Sequence, residues 1–349
     1  MNTNADANHY NSSLIFEQPL ASPNELKNYL VKNKLLSASI SSQAYKYESS
    51  LLTLSQMVRK QSALNPNLGI ALTMHHHIVM VLAKYRNIFI NSSDVINNVL
   101  YKEYLVASAF SEGKTGISVF EPSSFLKTTN EGIDLHGYKR PCTLSSIADH
   151  YVLSANHKGS LTLLSIPANK KNITVNKFWI SEVFTCCDNN EVVFNNVPIN
   201  NSEITTLKKE ELGACLIYGL SQFNFLASST YIGIADRILD IFPERLKILF
   251  HLKIKIAEYK NINNTLLEQM ASICSKSEVS EHDLNSILTL RYLLEANLDS
   301  ISNFIFDNCG GVTVMSNPEI MSLTNHLRMF KYHPTSKFQF YSHLLQEAV

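Results

Sequence analysis

Between Val106 and Val197 the hydrophobic period of the chain changes, and this change limits the folds open to it. Val106–Phe110, Ile133–His136, His150–Ser154, Leu161–Ile166, Ile173–Ile180 and Val192–Val197 are short runs of β-branched or aromatic residues, separated by Gly, Asn, Pro and Ser clusters. Runs of that kind predict a small barrel or sandwich.

Both flanks read as helix. Ser22-Pro23-Asn24-Glu25 supplies a cap residue, a proline at the first helical position and a glutamate three residues after the cap, so a helix starts there. Further helices are expected at Glu48–Gln61, at Asn67–Lys84 and from Ser93-Asp94. After Leu207, apolar residues at three- and four-residue spacing over Gly213–Ile241, Pro243–Lys276, Glu281–Cys309, Glu319–Phe330 and Ser336–Ala348 predict an antiparallel bundle. The expectation is an α+β chain in four parts: an N-terminal arm (1–22), a helical domain (23–105), a central β-domain (106–203) and a C-terminal bundle (204–349).

With 349 residues, 45% apolar and 17% charged, the chain can bury a large core. A formal net charge of zero lacks the electrostatic footprint of a nucleic-acid or anionic-membrane binder. The apolar run Leu68–Ala83 is broken by His75, His76 and His77 and falls short of the ~20 apolar residues of a spanning helix. Met1–Ser22 lacks the order of a secretory signal, and the six cysteines match neither a disulfide framework nor a zinc pattern, so a reducing cytoplasm is the expected setting and no metal is expected. No G-x-G-x-x-G or phosphate loop opens a helix.

Three patterns sit where strands should end: Ala107-Ser-Ala-Phe-Ser-Glu-Gly-Lys-Thr-Gly116, Gly137-Tyr-Lys-Arg-Pro-Cys-Thr143, and Phe178-Trp179 leading to Glu191-Val-Val-Phe-Asn-Asn-Val-Pro198. Each joins β-forming residues to a glycine or hydroxyl residue, where backbone N–H groups and small side chains can meet a flat polar ligand. In this order they resemble the middle domain of the acyl-CoA dehydrogenase superfamily. Leu64-Asn-Pro-Asn-Leu-Gly-Ile-Ala-Leu-Thr-Met-His75 and Cys309-Gly310-Gly311 extend the likeness, and Phe330-Lys-Tyr-His-Pro334 is similar to the His-Pro ending of the branch that includes flavin monooxygenases.

The resemblance implies a bound flavin, FAD or alternatively FMN. Phe110 and Ser111 would face its pyrimidine edge and Thr143 its N5, where a donor stabilises the negative charge of reduction. Gly116 and Ser118 would lie near the diphosphate or thioester, and Gly310, Gly311 and Arg245 near the far end of FAD. The implied partners are an acyl thioester on coenzyme A or an acyl carrier protein, or another small molecule, and the chain's own copies in a homodimer or homotetramer.

Departures from the pattern concern the chemistry. Pro141 replaces the family's aromatic residue over the flavin, and Ala38–Tyr45 replaces its Pro-Glu-x-x-Gly-Gly loop. The catalytic glutamate is missing from Gly213–Thr230 and from the residues just after Gly311, which leaves Glu319 as a distant substitute. A base for α,β-desaturation of a thioester would then come from His76 or His77. Three successive histidines on a helix point about 100° apart, so at most two share a cleft. Acyl-thioester oxidation is the leading expectation. The alternatives are a flavin monooxygenase, which needs no carboxylate base, and a non-catalytic binding subunit.

Overall fold

The computed structural model describes residues 16–40, 48–113, 121–205 and 208–347. Four helices come first: α1 (Pro23–Lys32), α2 (Glu48–Leu64), α3 (Pro66–Lys84) and α4 (Ser92–Lys102). The serine cap works as read, since Glu25 N–H donates to Ser22 Oγ, while the Glu25 carboxylate accepts from Ala21 N–H, one residue before the cap. α3 is buried along its length except at Met74 and Lys84. Its apolar run therefore marks a helix enclosed on every side, and no helix among the described residues is long and apolar enough to cross a membrane.

Among the described residues eight strands follow: β1 (Val106–Ala109), β2 (Phe125–Thr129), β3 (Gly132–Cys142), β4 (His150–His157), β5 (Ser160–Pro167), β6 (Ile173–Asn176), β7 (Asn190–Ile199) and β8 (Ile204–Thr205). They form one mixed sheet in the order β6-β7-β3-β2-β4-β5-β8, with β1 parallel to β4 and Val106 opposite His150. The sequence reading missed β2 because only Leu126 of its five residues is buried, which leaves no apolar alternation to detect. It also cut β3 short. Gly137 lies at a register shift with φ +122°, and a Cβ there would come within 2.6 Å of Ser124, so glycine is required where β3 approaches β2 most closely. β6 stops at Asn176, and Ile180, expected within it, is exposed.

The C-terminal part comprises α5 (Lys209–Asp240), α6 (Glu244–Lys247), α7 (Phe250–Cys274), α8 (Glu281–Asn308), α9 (Gly311–Ser316), α10 (Pro318–Arg328) and α11 (Lys337–Glu347). Pro243–Lys276, read as one helix, is two, because Leu249 turns to an extended conformation (φ −70°, ψ 116°) between them. α5 is the axis of the molecule and packs on α2, α3, α7, α8 and α10. Small residues set its closest approaches: a Cβ at Gly233 would lie 2.2 Å from the Arg59 carbonyl oxygen of α2, and one at Gly69 of α3 would lie 2.8 Å from the Thr230 side chain. Ser62 Oγ donates to the Thr230 carbonyl across this seam, and Arg59 pairs with Asp236 beside it.

Candidate functional site

β1 ends at Ala109 and releases Phe110, half-buried, and Ser111, exposed. The Arg140 N–H donates to the Ser111 carbonyl at 2.8 Å, and Glu112 bridges to Arg140, so Phe110–Ser111 runs beside the Pro141–Thr143 end of β3. The two segments expected to meet one ligand are thus neighbours. Thr143 is 8% exposed, and its Oγ1 donates to Asn189 Oδ1 at 2.7 Å. Asn189 in turn donates to the Phe184 carbonyl.

Glu112 secures this arrangement from below. Its carboxylate accepts from Ser123 N–H and Oγ–H, Ser124 N–H and Oγ–H, and Lys139 Nζ at 2.8 Å. Burial alone would raise this carboxyl, but the hydrogen bonds from Lys139 and Ser123, the Lys139 charge and the Ser124 N–H outweigh it and bring it down to about 2. Gly137 admits the Ser124 that takes part, which gives the glycine of the second motif its physical reason.

Where the aromatic cover was expected, Arg140 precedes Pro141 and lies over the Tyr138 and Phe178 rings at 4.7 and 5.5 Å, with Nη1 donating to Glu191. Gly116 and Ser118 fall outside the described residues, as does the Arg245 side chain. Gly310 and Gly311 form the exposed corner between α8 and α9, and a Cβ on either would meet open space.

All three histidines of α3 are buried, and they do different things. His75 is structural: Nε2 donates to the Leu36 carbonyl, and Nδ1 accepts the Val106 N–H that begins β1. His76 shares a hydrogen bond with Ser39 Oγ. His77 is the one turned toward the strand end. Its Nδ1 must donate to the Thr73 carbonyl, which leaves Nε2 as the acceptor facing Ser108 Oγ at 3.2 Å. Burial first, then the Thr73 bond in opposition and the neighbouring His75, set the His77 imidazole at about 4, so it is neutral at neutral pH. Of the two candidate bases, only His77 reaches the β1 end.

From His77 a line of rings leads into the bundle. His77 meets Phe223 of α5 edge-on at 5.4 Å, and Phe223 meets His333 at 5.3 Å. His333 Nε2 shares a 2.8 Å hydrogen bond with Tyr231 OH, and Tyr231 packs on Phe330 at 4.5 Å. Burial, and then the charge of Arg291, lower the His333 imidazole to about 3. Ser108, Phe223, Tyr231 and Arg291 were not candidates from sequence. Ser108 lay inside the first motif but off its matched positions, and the others read as ordinary helix core. The His-Pro ending was the signal that pointed toward His333.

The acids near this cluster are committed to other partners. Glu112 is held as described, Asp188 accepts from Ser145 and Asn190, and Glu319, the distant substitute base, is paired with Arg237 at 2.7 Å. Glu103 retains a buried carboxylate oxygen without a partner, but it precedes β1, at the end away from Phe110 and Ser111. Phe110–Ser111 and the Pro141–Thr143 end of β3 thus form one polar strand-end edge, in which the Thr143 hydroxyl proton is committed to Asn189 and its oxygen is left to accept.

No protein-family model matches the chain. Among curated proteins, isobutylamine N-hydroxylase of Streptomyces viridifaciens is 24% identical over 307 residues, spanning 83% of this chain and 80% of that protein. Butyryl-CoA dehydrogenase from Megasphaera elsdenii superposes with a TM-score of 0.76 at 12% identity, over 91% of this chain and 88% of the other. Methanesulfinate monooxygenase MsuC from Pseudomonas fluorescens gives 0.74 at 14% identity (92% and 88%). FMN-bound TdsC from Paenibacillus sp. A11-2 gives 0.73 at 12% identity (92% and 89%).

Proposed function

On the acyl-CoA dehydrogenase fold, which this chain has, we propose a flavin-dependent monooxygenase that places one oxygen atom of O2 on the nitrogen of a small apolar amine. The observation that carries this reading is the pair of neutral imidazoles, His77 and His333, on either side of Phe223, with the neighbouring carboxylates engaged elsewhere. The N-hydroxylase relative supports the same chemistry.

Phe110, Ser111 and Thr143 would hold the ring edge of a bound flavin, which when reduced would supply the two electrons that, with O2 and two protons, convert N–H to N–OH and release water. The amine enters as the free base, because a buried site without a free carboxylate, close to Arg291, disfavours an ammonium. Ser108 directs its proton to His77 Nε2, so its oxygen is open to accept an amine N–H and orient the nitrogen lone pair. With Tyr231 donating to Nε2 of His333, the imidazole proton sits on Nδ1 and is available to the oxygen that departs as water.

Thioester desaturation has less support, since it requires a carboxylate or equivalent base and His77, at about 4, is a weak one. The isoalloxazine is common to FMN and FAD, and titration with each identifies the flavin retained. Self-association belongs to the proposal too. Ile248, Leu249, Phe250, Val312 and Met315 are exposed at the end of the bundle where α7 begins and α8 finishes, and sedimentation should find more than a monomer.

The test is anaerobic mixing of the flavin-loaded protein with short-chain acyl thioesters, and separately reduction by NADH and a flavin reductase followed by O2 and primary amines. The proposal expects no bleaching by thioester and an N-hydroxylated product in the second arm. Thioester-driven bleaching overturns it.

A further inference from the structure

Arg291 is a fully buried arginine whose guanidinium makes no ion pair with a carboxylate among the described residues. A buried charge without a counter-ion is costly, so its retention needs a reason. Its hydrogen bonds supply one. Nη2 donates to the carbonyls of Phe330 (2.9 Å) and His333 (3.0 Å), and Nη1 donates to those of Pro334 and Thr335 (both 3.1 Å) and to Asn224 Oδ1 (3.3 Å). The Phe330 ring lies 5.2 Å from the same guanidinium, and Tyr292 OH, from the next residue of α8, donates to the Thr335 carbonyl at 2.7 Å.

All of these carbonyls belong to one short stretch between α10 and α11, where a 3-10 turn (Met329–Tyr332) gives way to extended chain at His333. Irregular buried backbone has to find donors outside itself. A planar fork with several fixed donors can serve four carbonyls at once, whereas the point charge of a lysine cannot. His333 is the residue of this stretch that hydrogen-bonds Tyr231 and meets the Phe223 ring.

We propose that Arg291 is the positioning residue of the site: by clamping the backbone of 330–335 it fixes the orientation of the His333 imidazole and the tautomer it presents. The proposal rests on the reading of His333 as a site residue. The charged and titratable groups facing the His333 ring are Tyr231 from α5 and Arg291 from α8, with His77 of α3 beyond Phe223.

The experiment uses the full chain without added flavin, labelled with 15N-histidine, in parent, Arg291→Gln, Arg291→Lys and His333→Gln forms, the last assigning the resonance. In the parent, His333 should hold one neutral tautomer down to at least pH 5. In Arg291→Gln, its titration should move up by at least one pH unit and its two nitrogens should average toward mixed tautomers, while His77 stays unchanged. Arg291→Lys keeps the charge and loses the fork, so it should keep a low titration midpoint yet lose the single tautomer. Should Arg291→Gln fail to fold, Arg291→Lys decides the matter. A folded variant whose His333 signals match the parent overturns the proposal. Product assays on His333→Gln test the functional reading separately: if that variant turns over normally while the Arg291 variants still shift the His333 signals, the clamp stands and the role of His333 falls.

Discussion

Glu112 and Lys139 should be worth far more as partners than as individuals. The Lys139 side chain is fully buried and that of Glu112 is 3% exposed. A carboxyl at about 2 in the folded chain and near 4.3 in the unfolded one contributes about 3 kcal/mol, present above about pH 4.3 and lost as pH falls toward 2. Lys139 offsets part of this, because burial holds its ammonium below the ordinary lysine range even with Glu112 opposite. The pair as a whole therefore stabilises by less than the carboxylate alone suggests. Removing one member exposes the asymmetry. Glu112→Gln strands a buried ammonium and should cost about 3–5 kcal/mol. Lys139→Met leaves Glu112 its four serine donors and should cost about 2 kcal/mol. The double variant should cost about 1–2 kcal/mol, less than Glu112→Gln alone, because Gln still accepts from Ser123 and Ser124 and no charge remains buried. Urea denaturation of all four proteins at pH 7 gives the coupling energy, and repeating it at pH 3.5 should shrink the gap between parent and Glu112→Gln. Costs that add within about 0.5 kcal/mol would refute the reasoning. Because Glu112 anchors the chain directly after Phe110 and Ser111, Glu112→Gln should also weaken flavin retention.

Other outcomes can be checked alongside. His75, His77, His150 and His326 sit at about 4 and His333 at about 3; the unfolded chain binds these protons near pH 6.5, so stability should be full above that pH and fall steeply toward pH 4, by up to about 3 kcal/mol per histidine, read from denaturant midpoints. At saturating amine, where protonation of the substrate itself no longer limits the rate, product formation should accordingly show no acid limb near pH 6.5 from these histidines, only one below about pH 5. Ser108→Ala should lower product formation about 10–100-fold and leave flavin affinity within about twofold, since in the proposed mechanism its hydroxyl orients substrate rather than flavin; equal losses in both would contradict that role. Gly233→Ala should destabilise the chain by about 1–3 kcal/mol or more, because its Cβ would collide with the Arg59 carbonyl, and a thermal melt unchanged from the parent would show that α2 and α5 can part at no cost.

The helices, the principal strands and the meeting of Phe110–Ser111 with the Pro141–Thr143 end of β3 were legible because each rests on local chemistry: a serine cap followed by proline at Ser22–Pro23, β-branched runs closed by turn residues, and a hydroxyl at a strand end. What stayed hidden depends on contacts distant in sequence. Nothing around Arg291 signals that it serves four carbonyls about 40 positions away, and nothing in Ala107-Ser-Ala109 announces that Ser108 turns to a histidine 31 residues earlier. The helical period shows that His75, His76 and His77 point apart. It took the positions of Leu36, Ser39 and Ser108 to separate the structural histidine from the one that reaches β1 at the candidate site. β2 and the break at Leu249 have no local signature at all.

The most direct test of the central claim is the mass of the product formed under 18O2 from a primary amine, with reduced flavin supplied by NADH and a reductase. Gain of one 18O atom, lost in the His77→Asn and His333→Gln variants, is the predicted result. Product oxygen drawn from water, or no oxygenated product while acyl thioesters reduce the bound flavin, would contradict it and return the chain to thioester oxidation.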